Sequence, residues 1–254
     1  IMEEIKSMLH LDARTINGRT VGENLEKLKK DGFYEKCESY LEPWGLKATD
    51  VIRTFEKPIG TNGTVAILRG NLAPDGAVVK HSAVPKEMFH AVLRARPFDY
   101  EEEAIEAVLT HKIRPGDAVI IRYEGPVGSG MPEMFYTTEA IASDESLAKS
   151  IALITDGRFS GASKGPAIGH VSPEAAAGGP IAFLETDDLI LLDIEERKLE
   201  IIGVKGQKLA EEEIEKILEE RKRAWIPKEE KYKSGVLKVY SEHAVSPMKG
   251  GYME

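Results

Sequence analysis

The feature that most constrains this chain is the passage at residues 152–174, ALITDGRFSGASKGPAIGHVSPE, where a short apolar run breaks off into a glycine-rich turn. Residues 151–154 are apolar with β-branched members and read as a buried strand, which Thr155, Asp156 and Gly157 end with turn chemistry. Gly161 and Gly165 punctuate the segment that carries Ser160, Ala162, Ser163 and Lys164. Without a Cβ in the way, backbone amides in such a segment can turn toward a bound anion or a developing negative charge. An alkoxide at Ser160, with Arg158 and Lys164 close in sequence, could be stabilised there. The same residues suit a tight structural turn whose serine bonds its own backbone, and the spacing leaves both readings open.

A chain of 254 residues can bury a substantial core, and one domain over 1–254 is the expected organisation. Its 42 % hydrophobic and 30 % charged residues are those of a packed globular domain. The net charge of -9 sets the choice of partners: nucleic acid and anionic membranes both require a cationic face, so small molecules are expected instead. The longest apolar runs, at 118–121 and 189–192, are too short to span a bilayer, and no secretory apolar region opens the chain. Cytoplasm is the expected compartment. Cys37 is the one cysteine, which excludes an intramolecular disulfide and cannot alone hold an iron–sulfur cluster or a thiolate zinc site. With no activating neighbour in sequence, it is expected to be a buried, inert thiol.

Along the chain, residues 1–9 show helical spacing, and the absence of methionine at position 1 suggests a fragment boundary. Thr20 caps an expected helix at 21–30, with Glu23 at the capping-box position and Leu25 and Leu28 facing inward. Residues 33–48 read as irregular and 50–55 as extended. Strands are expected at 65–68 and 77–80, paired across the turn GNLAPDG. Asp99 and Glu102 look like the cap of a helix whose buried stripe is Ala104, Ile105 and Val108. A strand at 118–123 delivers Glu124 into the glycine-rich loop GPVGSGMPEM. Further strands are expected at 180–185, 189–194 and 199–204, an amphipathic helix at 211–223, and a strand or helix at 236–240.

Several side chains qualify for chemistry, each with a plainer alternative. Glu133 sits in the glycine-rich loop and can serve as an oxygen ligand for Mg²⁺, although most loop glutamates are only hydrated. His170 could act as acid or base, or be a hydrogen-bonded structural group. Lys80, His81 and Ser82 end a strand and could meet a carboxylate or phosphate, or simply face water. The segment GASKG lacks the glycine spacing and terminal Lys-Ser/Thr pair of a Walker loop. A serine hydrolase is a weaker alternative, because GRFSG is not the G-x-S-x-G elbow.

Five segments in collinear order then carry a resemblance: GRTVGENL at 18–25, LRGNLAPDGAVVK at 68–80, PFDYEEEAIEAVL at 97–109, IRPGDAVIIRYEGPVGSGMPEM at 113–134, and ALITDGRFSGASKGPAIGHVSPEAAAGGPIA at 152–182. Together they resemble the C-terminal part of the dihydroxy-acid and sugar-acid dehydratase family. That resemblance implies an α/β fold, a β-barrel-like mixed sheet of the swivelling β/β/α type with flanking helices. The implied activity is a hydro-lyase that eliminates water from a 2,3-dihydroxy acid to give a 2-keto acid, using an iron–sulfur cluster and Mg²⁺ where two domains meet. By motif match, Ser160 is the implied alkoxide base on C2, Glu133 a magnesium ligand, and Gly161 and Ala162 the amides at the substrate. The cluster cysteines and other magnesium ligands are implied to lie on an N-terminal iron–sulfur domain that this chain does not contain. Such a chain alone is expected to be inactive, and a homo-oligomer is the expected assembly. A binding or regulatory domain that keeps the fold without catalysis is the alternative.

Overall fold

Thr20 begins the first helix as a capping box requires: its hydroxyl accepts the Glu23 N–H at 3.2 Å, and the Glu23 carboxylate accepts the Thr20 N–H at 2.7 Å. The computed structural model describes all residues from 1 to 254 except Thr61, Gly161 and Ala162. Contacts divide them into two compact units, Ile1–Gly63 and Thr64–Glu254.

The first unit contains α1 (Val21–Lys30), α2 (Phe33–Ser39) and α3 (Ala48–Val51). Leu25 is buried on α1, and Leu28 is half-buried. Four expectations fail here. Gly32, at φ 67°, ends α1, and the chain then turns directly into α2 where an irregular stretch was expected. Residues 48–51 form a single helical turn rather than an extended segment, because the Asp50 carboxylate accepts the Lys47 N–H at 2.9 Å. Helical spacing at residues 1–9 yields only a 3₁₀ turn at Lys6–Met8. Cys37 is exposed, not buried.

The second unit is built on a curled mixed sheet of nine strands among the described residues. In chain order these are β1 (Ala66–Leu68), β2 (Gly76–Val79), β3 (His90–Phe98), β4 (Asp117–Ile121), β5 (Ala152–Thr155), β6 (Ala167–Ser172), β7 (Leu189–Asp193), β8 (Lys198–Val204) and β9 (Gln207–Lys208). They lie in the order β1-β2-β6-β5-β4-β3-β7-β8-β9. The four central strands run parallel, and the β1-β2 and β7-β8-β9 flanks are antiparallel. Parallel central strands must be covered on both faces, which is why β4 and β5 are buried at every position. Side chains alternate between two cores. Ala118, Ile120, Ala152 and Ile154 face the interior of the curl. Val119, Ile121 and Leu153 face α4 (Glu101–Leu109), α6 (Phe135–Ala142) and α7 (Glu145–Ala148). Between β4 and α6 lies the short α5 (Pro126–Ser129), and α8 (Glu211–Ala224) and α9 (Val236–His243) complete the unit.

The curl is closed by the turn after β1. Arg69 exchanges backbone hydrogen bonds of 2.8 Å with Arg197 and Leu199, and the Asn71 amide brackets the Ile201 backbone at 2.6 and 2.9 Å. Gly70 makes this approach possible: a Cβ there would lie 2.4 Å from the Leu199 carbonyl oxygen, with φ at 153°.

Other expectations are corrected in this unit. Asp99 does not cap α4; its carboxylate is taken by Arg122 at 2.5 Å and by Lys228, and Tyr100 occupies the cap position. Residues 180–183 form a 3₁₀ turn instead of a strand, starting at Pro180. Strands β3 and β6 were not anticipated, since Arg94, Arg96 and Pro97 interrupt the first and Gly169 and His170 the second. Residues 236–243 settle as a helix.

Candidate functional site

Strands β4 and β5 are adjacent and parallel, so the loops leaving their C-terminal ends emerge side by side, the usual position for a ligand on such a sheet. The loop after β4 carries Glu133 and the turn after β5 carries Ser160. They are joined directly. The Glu133 backbone makes an isolated parallel bridge with Arg158, and the Arg158 carbonyl accepts the Met134 N–H at 2.9 Å. Arg158 Nε donates to the Met131 carbonyl at 2.9 Å, and its Nη1 lies 3.6 Å from the Glu133 carboxylate. Arg158 therefore serves the Glu133 loop, where its place in sequence had suggested support of an alkoxide at Ser160.

Ser160 is half-buried, and its carbonyl accepts the Ser163 N–H at 3.2 Å in a turn. It lines a cleft of about 220 Å³ together with Lys80, Phe159, Ser163 and His170. Gly169 forms part of the floor, and a Cβ there would come within 3.1 Å of the Phe159 ring. Of the cation and hydroxyl candidates at 80–82, Lys80 reaches this cleft, while His81 packs edge-on against Phe89 at 6.4 Å. Lys164 is exposed and is not among the residues lining the cleft. Gly161 and Ala162 lie outside the described residues. Burial, followed by the nearby Arg158 charge, pushes the His170 imidazole below its ordinary value, so it is neutral at pH 7.

Backbone strain gathers here. Tyr123, Met131 and His170 are non-glycine residues at φ 66°, 58° and 57°, a region costly for side chains with a Cβ. The His170 N–H donates to the Gly157 carbonyl at 2.8 Å, tying β6 to the Ser160 turn.

Beneath the two loops lie three buried carboxylates, none of them among the candidate site residues read from the sequence. Asp156, 0 % exposed, accepts N–H bonds from Tyr123 at 3.0 Å, Glu124 at 2.9 Å and Ala175 at 2.9 Å. Glu174, 3 % exposed, accepts the N–H groups of Val127 and Gly128 at the start of α5, each at 3.0 Å from one of its oxygens. Glu124, 1 % exposed, receives the Ser129 hydroxyl and lies 3.3 Å from Lys231 Nζ. Burial pushes Asp156 up to about 7 and raises Glu174 as well, while the backbone N–H donors oppose both shifts. The only sequence signal for this cluster is the placement of all three residues next to turn glycines or a proline.

Residues 50–251 match the family model described as Dihydroxy-acid/6-phosphogluconate dehydratase C-terminal. Among curated relatives, the dihydroxy-acid dehydratase of Caldanaerobacter subterraneus subsp. tengcongensis is 48 % identical over 244 residues, covering 96 % of this chain and 39 % of the relative. That of Ignicoccus hospitalis is 44 % identical over 248 residues, covering 97 % and 40 %. That of Acetivibrio thermocellus is 46 % identical over 257 residues, covering 100 % and 42 %. The chain thus spans about 40 % of the length of the relatives it matches. With residues 50–251 matched by the family model and relatives 44 to 48 % identical over nearly the whole chain, the chain belongs to the dihydroxy-acid/6-phosphogluconate dehydratase C-terminal family.

Proposed function

We propose that this chain is the C-terminal part of a hydro-lyase that converts a 2,3-dihydroxy acid to a 2-keto acid, with Ser160 as base and Glu133 as a ligand of Mg²⁺. The observation that carries the reading is the Arg158–Glu133 bridge, which holds the two loops together at the ends of adjacent parallel strands. The relatives' printed name, dihydroxy-acid dehydratase, supports a dihydroxy acid as substrate.

In this reading the Ser160 alkoxide takes the proton from C2, the C2–C3 double bond forms as the C3–O bond breaks, and the departing hydroxide leaves as water with that same proton, which restores the alkoxide. The enol then tautomerises: its hydroxyl proton is lost, C3 gains one, and C2 becomes the carbonyl. A serine hydroxyl keeps its proton at its free pKa, and local positive potential is needed to favour the alkoxide that serves as base. Neutral His170 and exposed Lys80 share the cleft and leave it free of carboxylates among its described lining residues, which favours an acid substrate.

The residues present fit one ligand of a divalent cation but not a complete shell. Glu133 is half-buried with its carboxylate 3.6 Å from Arg158, yet no three His, Cys, Asp or Glu side chains among the described residues group to hold a metal. Bound Mg²⁺ would supply Lewis acidity that lowers the pKa of a hydroxyl it touches. An iron–sulfur cluster does not fit this chain, whose single cysteine, Cys37, is exposed in the other unit; such a cluster would need ligands from an N-terminal domain.

The test is to assay the chain alone and after combination with the N-terminal portion that its relatives carry. Turnover is expected only in the combined enzyme, and Ser160→Ala should reduce kcat by at least about 10²-fold, the lower range for loss of a general base. Near-normal turnover by that variant would favour the catalytically silent alternative, and turnover by the isolated chain would contradict the need for a second domain.

A further inference from the structure

We propose that Asp156 is the positioning residue of this site: its buried carboxylate fixes the Glu133 loop against the Ser160 turn by gathering the backbone where three parallel strands end. The inference rests on the reading of Ser160 and Glu133 as one site. Asp156 immediately follows β5 and lies four residues before Ser160. Two of its donors, the Tyr123 and Glu124 N–H groups, belong to the segment leaving β4 toward Glu133. The third, from Ala175, belongs to the segment leaving β6. Next to Ala175, Glu174 continues the chain of contacts, since its carboxylate holds the Val127 and Gly128 N–H groups of α5 within the Glu133 loop.

This arrangement has no slack. A Cβ on Gly125 would lie 2.3 Å from Glu174 Oε2, and one on Gly128 would lie 2.5 Å from the Tyr123 carbonyl oxygen. Tyr123, whose N–H Asp156 accepts, sits at positive φ, so the carboxylate holds a backbone conformation that the chain would otherwise leave. Three N–H bonds to one carboxylate require acceptors on both oxygens, and here Oδ1 takes Glu124 while Oδ2 takes Tyr123 and Ala175. An asparagine would set an NH₂ group against at least one N–H donor. The charged group that acts on Asp156 is Glu174, and burial first, then that charge, raise the protonation range of Asp156 against its three N–H donors.

The experiment uses Asp156→Asn in the isolated chain and in the combined enzyme. In the chain, amide hydrogen exchange should quicken at least tenfold at Tyr123, Glu124 and Ala175, and at Met134 beyond them, while Ile120 and Ile154 in the core strands change less than threefold. In the enzyme, kcat should fall at least 30-fold with KM within threefold, and Ser160→Ala/Asp156→Asn should be no slower than Ser160→Ala. Unchanged exchange at those amides, or a kcat loss that multiplies with the Ser160 loss, overturns the proposal. Should the asparagine variant fail to fold, the wild-type amides of Tyr123, Glu124, Ala175 and Met134 are followed from pH 5 to 9. A shared step supports the proposal and the absence of one overturns it. If Ser160→Ala retains turnover, the functional reading fails. If it is inactive while Asp156→Asn keeps its kcat, only the present inference fails.

Discussion

A glutamate on an otherwise glycine-rich loop becomes useful only when its position is held, and at Glu133 the guanidinium of Arg158 does this from 3.6 Å. With both groups partly exposed, the pair contributes little to stability, so its effect is chiefly on direction. Glu133→Gln should therefore leave the melting temperature within about 2 °C, consistent with a change below ~0.5 kcal/mol. In the combined enzyme it should raise the Mg²⁺ concentration for half-maximal activity more than about tenfold, a loss of 1.4 kcal/mol or more in binding. Magnesium titration of activity checks this. Asp156 has an opposite energetic character. Burial lifts it from the ordinary aspartate value of 3.8 to about 7, so the folded chain holds this proton more tightly than the unfolded chain. The associated stability is present below about pH 4, is lost as pH rises toward 7, and changes no further above it. The full span is on the order of 4 kcal/mol at 1.36 kcal/mol per pKa unit. Denaturant melts of wild type and Asp156→Asn between pH 4 and 8 should show the wild type losing ground to the variant across that window. The comparison is needed because Asp99 and Asp193, lowered from their ordinary values, act in the opposite sense as the pH falls.

At the scale of elements, the unit depends on how the sheet is closed and how its last long helix is anchored. Helix α8 is held by Arg221, whose guanidinium spans both oxygens of the fully buried Asp188 at 2.5 and 3.1 Å and also reaches the Phe183 carbonyl at 3.0 Å. A charge at that depth requires such a bidentate partner. The closure by the turn after β1 depends more on space than on charge. Gly70→Ala would drive a methyl group to 2.4 Å from a backbone oxygen that cannot step aside, at a φ unsuited to alanine. The expected cost is about 3 kcal/mol, combining overpacking with backbone strain. Equilibrium denaturation would measure it, and a loss below about 1 kcal/mol would show that β8 yields more readily than its hydrogen bonds to Arg69 and Asn71 imply.

Over the whole molecule the two units are unequally built. The second carries two continuous cores, whereas among the described residues of the first only Leu25 is a fully buried apolar side chain. Ile16, Trp44 and Ile59 of the first unit are each at least 80 % exposed. So little burial offsets only a small part of the conformational entropy of ordering some sixty residues. Limited proteolysis of the isolated chain should therefore cut within residues 1–63 first and leave a resistant core near Thr64–Glu254, as read by mass spectrometry. Cleavage beginning in the second unit would contradict this distribution of stability. No helix among the described residues is long and apolar enough to cross a membrane.

What the sequence by itself determined is local or carried by a long motif. The capping box at Thr20, the β1–β2 pair, the apolar strands β4, β5, β7 and β8, and the amphipathic α8 each announce themselves through spacing within a few residues. Family membership and the α/β class were legible because five segments stand in a fixed order. Only the tertiary structure decided which ends of those elements meet. Strand β3 is hidden in sequence by its arginines, which find Asp117 and Asp187 only once the sheet forms. Asp99 resembles a helix cap until Arg122 and Lys228 claim it. Asp156 reads as an ordinary turn residue until partners 19 to 33 positions away aim three N–H groups at it. Hydrogen bonds and ion pairs between distant segments leave no periodic trace in the chain, because they form only after the hydrophobic pattern has brought those segments together.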